Sequence, residues 1–150
     1  MGGMIAQTIA SEYPDRTKSL VSIMSTTGAR HLPEMTSETE GNFRNFSDGN
    51  LGEIDAEQMR SYGFYLESMP RQLTAIFHAG DRSEQVKKIN VKTLVQHGVN
   101  DPLLPPDHGR HTAELIEGSK LVIYEGMGHN LPPEVLPTVI SDMLDFFGET

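Results

Sequence analysis

Asp101 and His129 are the residues whose type and setting in this sequence best suit acid and base work. A carboxylate can orient an imidazole and stabilise its protonated form, and a neutral imidazole can take the proton of a weak nucleophile. Each stands a few residues past an apolar run. Thr93-Leu94-Val95-Gln96-His97-Gly98 leads into Asn100-Asp101-Pro102, and Leu121-Val122-Ile123-Tyr124 leads into Gly126-Met127-Gly128-His129. One helical segment lies between the two runs. Strand, helix, strand in that length is a right-handed crossover, which makes the strands parallel and brings their ends to one edge of a sheet. Open α/β sheets bind ligands at that edge. Asp101 and His129 there make two of the three members of a nucleophilic triad.

The elements that must position this pair are legible in order. Apolar residues at 1, 4, 5 and 9 predict an opening helix over 3–13 that stops before Pro14, although Gly2 and Gly3 are poor helix formers and no capping residue precedes them. Strands are predicted near 20–24, 93–97 and 121–124, and further helices over 106–117 and 134–147. Pro105-Pro106-Asp107 opens the first of these, Leu115 and Ile116 supply its buried face, and Gly118 closes it. The last carries Val135, Val139, Ile140, Met143, Phe146 and Phe147 on one stripe, with Pro137 in its first turn. The methionines of the first and last helices read as core filler.

Residues 29–88 contain no strand-like run and are broken by Pro33, Gly41, Gly49, Gly52, Gly63, Pro70 and Gly80. Helical pieces are predicted at 55–68 and 70–79. This segment holds six of the ten aromatic residues, Phe43, Phe46, Tyr62, Phe64, Tyr65 and Phe77. It reads as a helical subdomain with its own small core, or as a lid over a substrate pocket. The expected division is a core of 1–28 and 89–150 with a cap of 29–88.

Composition limits the chemistry. The 150 residues are one domain at most, and 12 Lys and Arg against 21 Asp and Glu leave a net charge of −9. That balance argues against nucleic acid or an anionic membrane as partner. Without cysteine there is no disulfide, thiolate metal site or thiol nucleophile in these residues. No apolar run spans a membrane and no signal peptide is evident, so the expected location is cytoplasmic. His108 and His111, spaced i, i+3, could form half a metal site, but no second pair follows at ligand spacing; they are expected to be exposed, with no metal and no cofactor. His97 is expected to be buried and hydrogen-bonded beneath the Asp101 loop.

Asn-Asp-Pro alone is commonly a plain turn. Taken together, Met1-Gly2-Gly3 before an amphipathic helix, the strand 20–24, Asn100-Asp101-Pro102 and Gly126-Met127-Gly128-His129 resemble the α/β-hydrolase fold in chain order. Met24-Ser25-Thr26-Thr27-Gly28, Asp101-Pro102-Leu103-Leu104-Pro105-Pro106 and the stretch from Gly126 to Pro133 are similar to the esterase branch that includes aclacinomycin methylesterase. The fold class this implies is α/β, the C-terminal part of an α/β-hydrolase fold with an inserted helical cap.

The resemblance places Gly2 and Gly3 as elbow glycines and the Met1 backbone N–H as an oxyanion-hole donor. It puts the nucleophilic serine just before Met1, outside these 150 residues. The implied function is a carboxylic ester hydrolase acting on a small hydrophobic ester, with Asp101 and His129 catalytic and these residues alone inactive. Two alternatives stand: another hydrolase-fold enzyme (epoxide hydrolase, dehalogenase or cofactor-free haloperoxidase), or a non-catalytic remnant that binds a partner through its sheet edge. If a nucleophile lies inside the chain, Ser25 is the first to consider.

Overall fold

The computed structural model describes residues 1–47, 57, 61, 65 and 68–148. Its elements run α1 (Gly2–Glu12), β1 (Ser19–Ile23), α2 (Ser37–Ser47), α3 (Met69–Ala79), α4 (Ser83–Val86), β2 (Lys92–Gly98), α5 (Asp107–Leu115), β3 (Lys120–Tyr124) and α6 (Leu136–Gly148). The chain divides into two compact units. One comprises Met1–Glu34 and Asp81–Thr150, and the other, Met35–Gly80, is inserted between β1 and β2 in chain order.

The three strands form one parallel sheet in the order β1-β2-β3, as the crossover logic requires. Leu20 pairs with Thr93 and Ser22 with Val95, while Val21 pairs with Leu94 and Ile23 with Gln96. Side chains alternate along a strand, so these pairs sort the sheet into two faces. On one, Ser22 meets Gln7 of α1 and His97 lies against Gly109 of α5. Ala10, Leu20, Val86, Ile89 and Ile116 form the buried apolar cluster that joins α1, β1 and α4. On the other face, Gln96 donates to the Val139 carbonyl of α6. Tyr124, Met127 and Val139 are the core there.

Helix faces depart from the apolar pattern. In α1 the inward residues are Met4, Gln7 and Ala10, whereas Ile5 and Ile9 are about half exposed. Gln7 is buried because Ser22 and Arg82 satisfy both ends of its amide. In α5 the buried face is His108, Gly109 and Thr112, followed by Ile116, with Leu115 only partly buried. Of the stripe expected on α6, Val139 and Phe146 are buried and Val135 and Met143 pack partly buried against the core, whereas Ile140 and Phe147 are exposed. α6 begins at Leu136, two residues later than expected. α2 was not foreseen, while α3 matches the predicted 70–79 piece within a residue. The helix expected at 55–68 lies largely outside the described residues, as do most of the six aromatic side chains; Tyr65 and Phe77 are exposed.

α1 reaches the carboxyl edge of the sheet at its first turn. A Cβ on Gly3 would lie 2.5 Å from Ser25 Cβ and 2.6 Å from its Oγ, just past the end of β1, whereas one on Gly2 meets nothing within 4 Å. Gly3→Ala should therefore cost about 1–3 kcal/mol through overpacking, with Gly2→Ala close to neutral. Ser25→Gly should restore most of the loss in the Gly3→Ala background. Urea unfolding of the parent and these three variants decides it; equal effects of the two alanines would show that the close approach carries no strain.

Candidate functional site

Asp101 and His129 meet at the edge where β2 and β3 end. His129 Nδ1 lies 2.7 Å from Asp101 Oδ2. The register that brings them together continues past the strands: Val99 N–H donates to the Tyr124 carbonyl at 3.0 Å and Asn100 N–H to the Met127 carbonyl at 3.1 Å. This close approach requires glycine at 98, since a Cβ there would sit 2.2 Å from the Met127 carbonyl oxygen. The Met127 side chain, fully buried against Tyr124 and Val139, anchors the loop that carries His129.

Asp101 is held from every side. Its Oδ1 accepts from the N–H groups of Leu103 at 2.9 Å and Leu104 at 2.8 Å, a local turn of the kind aspartate favours. Its Oδ2 faces His129 and, at 3.4 Å, His97 Nε2. Burial alone would raise its pKa. The hydrogen bonds from His129, then His97, then Leu104 N–H outweigh burial and hold the carboxyl well below the usual carboxylate range. An ionised carboxylate only accepts, so His129 Nδ1 carries the hydrogen, and in the neutral imidazole Nε2 keeps its lone pair. Among the described residues no serine hydroxyl is hydrogen-bonded to that nitrogen.

His97 is fully buried beneath the Asp101 loop. Its Nε2 must donate, because its 2.8 Å partner is the Leu104 carbonyl. Its Nδ1 is buried without a partner, turned toward Gly109, where a Cβ would lie 2.8 Å from it. His108 is buried rather than exposed, with Nε2 donating to the Pro33 carbonyl at 2.8 Å and Nδ1 paired with the Thr26 hydroxyl at 2.7 Å. Burial lowers its pKa, so Nδ1 accepts. His111 is half-buried, bonded to the Thr27 hydroxyl at 3.1 Å and edge-on to His31 at 4.8 Å. These partners come from the segment after β1, which is why helix spacing alone did not find them. Among the described residues no group of three or more His, Asp or Glu is arranged to hold a metal, and no helix is long and apolar enough to cross a membrane. An open concavity of about 310 Å³ beside His31 and His111 does not include the Asp101–His129 pair.

Met1, Gly2 and Gly3 begin α1. The contact of Gly3 with Ser25 sets them on the same edge of the sheet as Asp101 and His129. Ser25 itself is buried, with an unpartnered Oγ. It follows Met24, which has φ +44°, a left-handed backbone that is strained for a side-chain-bearing residue.

Comparison with known proteins agrees with this architecture. The family described as TAP-like protein matches residues 77–147. The meta-cleavage product hydrolase CumD of Pseudomonas fluorescens superposes with a TM-score of 0.70 at 20% identity, covering 98% of this chain and 61% of that one. The chain has the α/β-hydrolase fold. Within that fold no branch is favoured. The bifunctional esterase/perhydrolase DCH of Acinetobacter calcoaceticus is 37% identical over 71 residues, covering 47% of this chain and 26% of the relative. The non-heme chloroperoxidase CPO-A1 of Kitasatospora aureofaciens is 40% identical over 52 residues, 34% of this chain and 19% of the relative. The matched stretches thus cover only 26% and 19% of the lengths of these two curated relatives. The expected esterase branch is not singled out among relatives whose names differ in this way.

The Asp101 pocket has a signature in stability. The folded state favours the ionised carboxyl, so its contribution is full above the unfolded carboxylate's pKa of about 3.9 and is lost as pH falls below that. Asp101→Asn should lower stability by about 2 kcal/mol at pH 7, and the difference from the parent should shrink below about pH 4. Urea unfolding at several pH values checks this. A difference independent of pH would show that the carboxylate charge is not what the folded state favours.

Proposed function

We propose that the protein is a serine-type ester hydrolase in which His129 is the general base and acid and Asp101 orients it. The observation that carries this reading is the 2.7 Å contact between His129 Nδ1 and an ionised Asp101 at the carboxyl edge of a parallel sheet. With Nδ1 committed to Asp101, Nε2 is the nitrogen that takes a hydroxyl proton as the hydroxyl attacks an ester carbonyl. Nε2 then returns the proton to the leaving alcohol. The nucleophile is assigned to a serine at the position before Met1. The Met1 backbone N–H and the positive end of α1 would then stabilise the tetrahedral oxyanion. The proposed substrate is a small hydrophobic ester; the esterase named among the relatives supports the ester bond alone. Ser25 is a poor alternative nucleophile because its hydroxyl is buried against Gly3.

The test compares two chains on a short-chain aryl ester: these 150 residues, and a version extended upstream through the serine. Turnover is expected from the extended chain only, with a loss of roughly 10³- to 10⁴-fold on His129→Ala or Asp101→Asn. Equal turnover by both chains would move the nucleophile inside these residues. Extended-chain turnover indifferent to His129 and Asp101 would overturn the reading.

A further inference from the structure

We propose that Arg82 is a positioning residue of this site: it ties the first turn of α1 to the loop after β1 and sets a fixed positive charge beside the proposed oxyanion donors. Its purpose rests on the ester-hydrolase reading; its geometry does not. Arg82 is 8% exposed. One terminal nitrogen donates to the Met4 carbonyl at 3.3 Å, and the other to Gln7 Oε1 at 2.9 Å and the Thr26 carbonyl at 2.5 Å. Arg82 N–H in turn donates to the Thr27 carbonyl at 2.8 Å, so backbone and side chain both grip the segment after β1. Nε is buried with no partner.

All three side-chain acceptors are uncharged oxygens, and among the described residues no carboxylate forms an ion pair with this guanidinium. Burying a cation without a counter-ion is strongly unfavourable. A neutral amide in its place would also donate to backbone carbonyls without that cost, so bracing alone does not account for a charge here. Burial lowers the arginine pKa, from a value so high that the group stays protonated.

The charge is placed where it would favour an anion. Met4 lies in the first turn of α1, whose opening N–H groups have no intrahelical acceptor and form the positive end of the helix dipole. Thr26 follows Ser25, which abuts Gly3. Helix terminus and guanidinium therefore act with the same sign on the edge where Met1 stands. The Met1 ammonium registers this: its pKa is lowered by burial first and by Arg82 second.

Met1 can report on the field directly. The 150-residue chain, prepared with Met1 retained by cleaving an amino-terminal fusion and labelled at that residue, is titrated by NMR as parent, Arg82→Gln and Arg82→Lys. The glutamine keeps two donors and removes the charge; the lysine keeps the charge and loses the fork. The Met1 midpoint should rise in Arg82→Gln and stay low in Arg82→Lys. In the chain extended through the serine, Arg82→Gln should lower kcat about tenfold with KM within about twofold, and Arg82→Lys should recover most of it. A Met1 midpoint unmoved by Arg82→Gln overturns the proposal, as does an equal loss of kcat in both variants. If the extended parent hydrolyses no ester, the functional reading fails while the Met1 titration still decides the charge. If neither variant folds, the parent decides: its Arg82 Nε–H signal must shift with the Met1 midpoint, and a signal constant through it sinks the proposal.

Discussion

β2 is hydrogen-bonded along both edges, to β1 from Ser19↔Lys92 to Ile23↔Gln96 and to β3 from Leu94↔Lys120 to Gly98↔Tyr124. A strand shared in this way cannot slip by one residue without turning its buried side chains to the wrong face. Fixing β2 fixes the point where the chain leaves the sheet after Gly98. It thereby fixes how far the Asp101 loop lies from the loop after β3. The missing side chain at Gly98 lets the Met127 carbonyl close to within a normal backbone distance. The 2.7 Å approach of carboxylate to imidazole is thus set by sheet register.

A second set of constraints joins the segment after β1 to the helices on either side of it. Thr26 takes part in bonds to Arg82, His108 and Gly28, and Thr27 in bonds to His111 and Ala29. Arg82 carries the connection on to Met4 and Gln7, and Gln7 returns it to Ser22 in β1. This layer is largely polar and nearly all of it is buried. Its stability depends on each group finding its partner, because a single removal leaves a buried donor or acceptor unmatched.

The strands, their parallel order and the sharing of one edge by Asp101 and His129 were legible because they follow from pattern. Apolar runs of five to seven residues separated by a helix leave few topologies. Helix faces were less legible because burial in α1 and α5 is decided by partners far away in sequence. Gln7, His108 and Thr112 are buried, while Ile5 and Ile9 are not. Periodicity counts apolar residues. It cannot register that a polar one will be matched by Arg82 or by the Pro33 carbonyl. Arg82 was missed for the same reason, since an arginine beside Asp81 and Ser83 reads as part of a solvated turn. His97 was anticipated because it ends a strand whose neighbours are apolar, leaving its side chain nowhere to go but inward.

His97 also shows why the acid is an aspartate on a tight turn. With Leu103 and Leu104 N–H groups on Oδ1, the carboxylate plane is fixed by the backbone of its own loop. The Leu104 carbonyl that closes this loop is in turn held by His97 Nε2 at 2.8 Å. A glutamate at 101 would carry its oxygens one methylene further out and lose both contacts to the backbone. The short side chain makes the carboxylate part of the loop, so any imidazole that bonds Oδ2 takes its orientation from the main chain. In the proposed mechanism this is how Asp101 aims His129 Nε2 without a side-chain torsion of its own left to adjust.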